Sequence, residues 1–244
     1  MHHIFKLSAI LALLAAGGCT NSDSPTTPDP TTPATTAISP ATTVLQVGQT
    51  QVYTITPTTT STITWTSSNE SVLTIDASGS AVGLANGVAT VTAAPESGTG
   101  ATLAVQVVPV YAGSWSGTST VLACTDLAGF AAAGYCAQSL QTTDTWALTL
   151  AQSGLAVAGT MTKSEGANVL SGAVTGAIGG SGDMISLTGT LTGFARGANL
   201  VITPISWNTL AGGGSITGTW AGNVTSPQIL GIATVQWHVA GTAQ

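Results

Sequence analysis

Strict alternation of apolar and polar residues runs through the second half of this chain, and it restricts that half to antiparallel sheet. Trp146, Leu148 and Leu150 share one parity against Ala147 and Thr149. Ile185, Leu187 and Leu191 oppose Ser186, Thr188, Thr190 and Thr192, and Val235, Trp237 and Val239 oppose Thr234, Gln236 and His238. Successive side chains of a strand point to opposite faces, so one face of each segment is core and the other is wet. Eight such segments follow one another, at about 112–122, 143–152, 155–163, 168–178, 183–194, 198–208, 215–224 and 229–240. Ser153-Gly154 and Gly182-Asp183 stand where hairpin turns belong. Gly212-Gly213-Gly214-Ser215 lacks the lysine of a phosphate-binding loop and reads as another turn. Consecutive strands joined by short hairpins predict an up-and-down barrel, because closure removes exposed edges.

A barrel of eight strands is either plugged by its own side chains or just wide enough for one small ligand. Trp146, Trp220 and Trp237 have the inward parity, so they either fill the barrel or line an apolar pocket for a small molecule. Gly113-Ser114-Trp115 resembles the Gly-x-Trp that opens lipocalin-like and avidin-like barrels, which extends that resemblance over residues 110–244. The strand continues Ser116-Gly117-Thr118, without avidin's asparagine ligand, and the basic residue near the end of lipocalin barrels has no counterpart; a biotin site is not implied. Short turns at both ends and the lack of aromatic girdles speak against a membrane-spanning barrel. Cys124 and Cys136 flank the one long connection, and in an exported chain such a pair is expected to form a disulfide. Phe130 and Tyr135 within that connection are candidates for a lid over one barrel mouth, and His238 is read as a solvated outer side chain.

Residues 37–108 are written in shorter strands. Val47-Gly48-Gln49-Thr50, Trp65-Thr66-Ser67-Ser68, Ile75-Asp76 followed by Gly79, and Gly83-Leu84-Ala85-Asn86-Gly87-Val88-Ala89-Thr90-Val91 succeed one another. This order resembles the bacterial immunoglobulin-like domain of group 2. The resemblance implies a β-sandwich that serves as a spacer or adhesion module on cell surfaces, with no enzyme chemistry attached. Independently, Trp65, Val72, Ile75, Val82, Val88 and Val91 are expected to fill the space between two sheets. Trp65 has two readings, core residue or sugar platform, and the core reading is preferred.

The N-terminus carries Lys6, an apolar run from Leu7 to Ala16, then Gly17-Gly18-Cys19. The run is shorter than the roughly 20 apolar residues of a spanning helix, and it reads as an export signal. Small residues followed by cysteine resemble a bacterial lipobox, with Ala16 where that family usually has Leu or Val. The resemblance implies cleavage of residues 1–18 and acylation of Cys19; the alternative is an ordinary cleaved signal. Residues 19–36 hold Pro25, Pro28, Pro30 and Pro33 among threonines, an extended tether. Thr20-Asn21-Ser22 lacks the aspartate that retains many lipoproteins in the inner membrane, which favours the outer membrane with the folded part periplasmic or surface-exposed.

Charge supply then narrows function. Only 5% of residues are charged, and beyond Cys19 the cations are Lys163 and Arg196, so nucleic acid is not a partner. No His/Cys/carboxylate cluster has metal-ligand spacing, and no cofactor or catalytic residue is assigned. A hydrolase would need two of the scattered acids Asp126, Asp144, Glu165 and Asp183 to converge in a cleft, within about 5–10 Å. The expectation is an all-β chain: an immunoglobulin-like β-sandwich followed by an antiparallel eight-stranded up-and-down β-barrel. Its expected role is a non-enzymatic envelope lipoprotein, held to the membrane by an acyl anchor. It displays a module that meets a cell-surface glycan or protein; the alternative is a binder of a small apolar ligand.

Overall fold

The structure, a computed structural model, describes residues 35–244 apart from Gly213. The leader, Cys19 and the tether as far as Ala34 lie outside the described residues.

Nine short strands build the first domain: β1 (Ala37–Ser39), β2 (Val44–Gln46), β3 (Thr50–Val52), β4 (Thr54–Thr56), β5 (Ile63–Ser67), β6 (Leu73–Ile75), β7 (Ser80–Gly83), β8 (Gly87–Pro95) and β9 (Ala101–Val108). One sheet has the order β2-β9-β8-β5 and the other β3-β7-β6, with β1 and β4 paired separately. Leu45, Tyr53, Trp65, Leu73, Val91, Val105 and Val107 lie between them, all buried. Trp65 is a core residue, with its ring against the backbone at Gly79, where a Cβ would come within 3.2 Å of it. Val88 departs from expectation: it is 60% exposed, and Ala89 is buried in its place. Val88 and Val91 are an odd number of residues apart on β8, so they cannot share a face. Val82 and Ile75 are only partly buried, and Ala81 takes the inward position on β7.

The second domain is a closed barrel of β10 (Gly113–Asp126), β11 (Thr143–Ser153), β12 (Ala156–Glu165), β13 (Asn168–Ile178), β14 (Met184–Ala195), β15 (Ala198–Gly212), β16 (Ser215–Thr225) and β17 (Ala233–Ala243). Every neighbouring pair is antiparallel, and β10 closes the ring by pairing with both β11 and β17. Two short helices, α1 (Gly129–Ala132) and α2 (Tyr135–Ser139), occupy the connection from β10 to β11. Glycine on the inner face makes room for large neighbours. At Gly241 a Cβ would lie 2.3 Å from the Trp146 ring and 2.5 Å from the Ser116 carbonyl oxygen, so this position admits hydrogen alone.

The two domains meet at the turn between β13 and β14. Asn86 Nδ2 donates to the Ser181 carbonyl at 2.7 Å and to Asp183 Oδ1 at 2.8 Å, and Gln106 Nε2 donates to the Gly180 carbonyl at 2.6 Å. The Tyr111 hydroxyl donates to Gly182 O at 2.6 Å, and Gln152 bridges the connector by accepting from Tyr111 N and donating to Pro109 O. Val108 and Tyr111 are buried in the barrel's own core cluster. The connector is therefore packed and hydrogen-bonded along its length. Asn86→Ala removes two of these bonds and is expected to cost about 1–2 kcal/mol. Interdomain residual dipolar couplings should then average toward independent motion of the two domains.

Candidate functional site: the barrel interior and its lid

Inward parity on four strands brings four indole rings together. Trp146 of β11, Trp207 of β15, Trp220 of β16 and Trp237 of β17 are each at most 2% exposed. Trp146 meets Trp207 edge-on at 5.3 Å between ring centroids, Trp207 meets Trp220 at 5.3 Å, and Trp220 meets Trp237 at 5.0 Å. Edge-to-face contact sets the positive rim of one ring on the negative face of the next. Trp146 Nε1 donates to the Thr118 carbonyl at 3.0 Å, whereas the indole N–H groups of Trp207 and Trp220 have no protein acceptor. The three sequence-assigned tryptophans thus lie in one continuous stack, with Trp207 as its second member. Trp207 escaped the sequence reading because β15 shifts register between Thr203 and Ser206. Leu200 and Ile202 point inward before the shift, and Ile205 and Trp207 after it.

Above the stack the interior becomes charged. Lys163 has no exposed surface; its Nζ lies 2.6 Å from Asp144 Oδ2 and 2.5 Å from Glu165 Oε1. Arg196, in the turn between β14 and β15, donates from Nε to Glu165 Oε2 at 3.0 Å. The Trp237 ring lies 5.9 Å from Lys163 Nζ, within range of a cation–π contact. Ser119, fully buried and the register partner of Asp144, has an Oγ with no partner. Two of the acids scattered in sequence, Asp144 and Glu165, therefore do converge, on one buried ammonium rather than across an open cleft. Asp126 and Asp183 lie elsewhere, one accepting from Cys136 N in the connection to β11 and the other at the domain interface.

Burial pushes the Glu165 carboxyl up, but the charges of Lys163 and Arg196 outweigh it and hold it below the ordinary glutamate range. A carboxyl lowered by folding adds stability above its unfolded value, about 4.3, and that contribution disappears as pH falls through the folded value. The barrel's unfolding midpoint is therefore expected to drop on acidification below about pH 4. A midpoint flat across that range would exclude the contribution.

The lid closes over this cluster. A disulfide joins Cys124 at the end of β10 to Cys136 on α2. Phe130 and Tyr135 are buried with rings edge-on at 5.3 Å, and the Arg196 guanidinium lies 5.4 Å from the Tyr135 ring centre. Burial, then the nearby Glu165 carboxylate, raises the Tyr135 hydroxyl far above its usual range, so it stays neutral. A cavity of about 60 Å³ remains beside Tyr135, Gln138, Arg196 and Leu200. Larger, open grooves of about 380 Å³ lie on the first domain, flanking residues 58–62. Opening the disulfide by Cys124→Ser with Cys136→Ser is expected to cost about 3 kcal/mol in the chain-entropy account. The unfolding free energy of the wild type, from denaturant titration, should fall by a similar amount on adding reductant. His238 faces solvent on the outside of β17. Among the described residues, no group of three or more His, Cys, Asp or Glu is placed to hold a metal ion.

Fold and interior together define a two-domain all-β protein, a β-sandwich joined to a closed eight-stranded antiparallel barrel. Its first domain is a bacterial immunoglobulin-like domain of group 2: the family model matches residues 34–105. A search of the curated proteins returned no match. Domains of this family typically occur in extracellular or surface proteins, and one fits a surface or structural display module.

Proposed function

We propose that this chain is a non-enzymatic envelope lipoprotein that displays its barrel on an immunoglobulin-like spacer, with contacts made through the outer surface. The filled interior carries this reading: four stacked indoles and a buried ion cluster occupy the space that a ligand would take. The two converging carboxylates bind one lysine beneath a lid, an arrangement that leaves neither free for acid–base work on a substrate. Outward positions on the strands are hydroxyl-rich, with cross-strand pairs such as Thr120–Thr143 and Thr190–Thr203 at 3.0 and 2.8 Å. Leu122, Leu127, Leu140, Val169, Phe194 and Leu230 are exposed, and strand order places their segments at the end of the barrel that carries α1 and α2. Exposed apolar side chains at that end would offer a contact surface to a protein or glycan on a cell surface.

Anchoring rests on Cys19, followed by the Thr/Pro tether. An acylated cysteine in the outer membrane would hold the display module to the envelope. Cys19→Ser is expected to abolish palmitate incorporation and to move the protein from the membrane fraction to the soluble one. Lipid labelling that persists in the variant would refute the anchor.

A further inference from the structure

Lys163 places an amine 2.6 Å from one carboxyl, Asp144, and 2.5 Å from a second, Glu165, with all three side chains at most 10% exposed. Such a trio is more than a charge cluster: it holds both reactants of an amide condensation and a group able to carry the protons. We propose that Lys163 and Asp144 become covalently joined after folding by an isopeptide bond between Nζ and Cγ, with Glu165 as the proton-transfer residue.

The step balances without an oxidant or co-reactant. Glu165 takes a proton from the Lys163 ammonium, and the freed amine attacks Asp144 Cγ. The Nζ–Cγ bond forms and one Cγ–O bond breaks. That oxygen leaves as water with two of the ammonium's three protons, delivered through Glu165, and the third stays on the amide nitrogen. Bulk water opposes this reaction, but here the lysine has no exposed surface and Asp144 is 9% exposed. Fixed neighbours replace a bimolecular encounter, which raises the effective concentration of the amine enormously. The product removes two charges from a site where burying them is costly.

The surroundings fit the roles. Asp144 and Lys163 sit on the adjacent strands β11 and β12, where Trp146 is the register partner of Lys163. Trp237 covers the amine from another side, and Tyr135 of the lid closes the mouth. Arg196 binds the far oxygen of Glu165, leaving Oε1 directed at Nζ. The resulting cross-link would fasten the β11–β12 hairpin across its open end, a useful property in a domain exposed to proteases outside the cell.

Trypsin supplies a direct test on the full chain, because beyond Cys19 it can cut only after Lys163 and Arg196. The chain is reduced, alkylated, denatured and digested. The expected products include residues 197–244 but no free 164–196 peptide, since an acylated lysine is not cleaved. Chymotrypsin should then release a branched peptide containing Lys163 and Asp144, lighter by one water than its two parts. Glu165→Gln should restore cleavage at Lys163, and Asp144→Asn should form the same bond with loss of ammonia instead of water. Release of the 164–196 peptide from the wild type at its full mass would overturn the proposal. A Glu165→Gln chain that is still joined would remove Glu165 from the step.

Discussion

Trp207→Ala is expected to destabilise the barrel by about 3–5 kcal/mol, the range for removing a large buried aromatic. Its ring touches two other indoles, Trp146 on one side and Trp220 on the other. Truncation would leave a void in the middle of the stack and strip an edge-to-face contact from each neighbour. Strand geometry allows little collapse to fill it, because each strand of the ring is hydrogen-bonded on both sides. Urea titration followed by tryptophan fluorescence would measure the loss. A change below about 1 kcal/mol would mean that the interior relaxes freely and that the stack is not the core.

Lys163→Met is expected to have an effect of similar size, about 3–5 kcal/mol at pH 7, through a different cause. As an ion pair, the lysine compensates two carboxylates that are almost entirely buried, 9% and 10% exposed. Methionine keeps most of the stem's volume and leaves Asp144 without a cation; Glu165 retains Arg196. A buried carboxylate without a cation is costly only while charged, so the deficit is expected at neutral pH and shrinks on acidification. Denaturant midpoints at pH 7 and pH 4 separate this from a packing defect, which would not change with acidity. A deficit equal at both values would contradict the assignment.

Both domains were legible in the sequence to the extent that side-chain parity runs unbroken. Trp146 to Leu150 and Val235 to Val239 alternate without interruption, and their inner and outer faces follow directly. Trp207 lies beyond a bulge that reverses parity, which no local pattern reveals. Val88 was set on the wrong face because its hydrophobicity outweighed its position in the alternation. The ion cluster shows a third kind of limit. Lys163 and Glu165 share the inward parity of Val157 and Met161, and Asp144 that of Trp146, so the strand period alone places three charges inside. The prior that charged residues are solvated hides this reading, and the register of the β11–β12 hairpin, with Thr145 opposite Ser164 and Trp146 opposite Lys163, brings the three to one end of the pair. The Cys124–Cys136 bridge follows from the cysteine count together with the expectation of export, without any geometry.

The side chains of the barrel itself occupy its interior. Titration of the full chain with a long-chain fatty acid and with an apolar fluorescent probe, followed through tryptophan emission, tests this most directly. A filled interior predicts no saturable change in emission at any ratio of probe to protein. Saturable, one-to-one quenching that disappears on substitution of Trp220 would show an internal ligand site and overturn the filled interior.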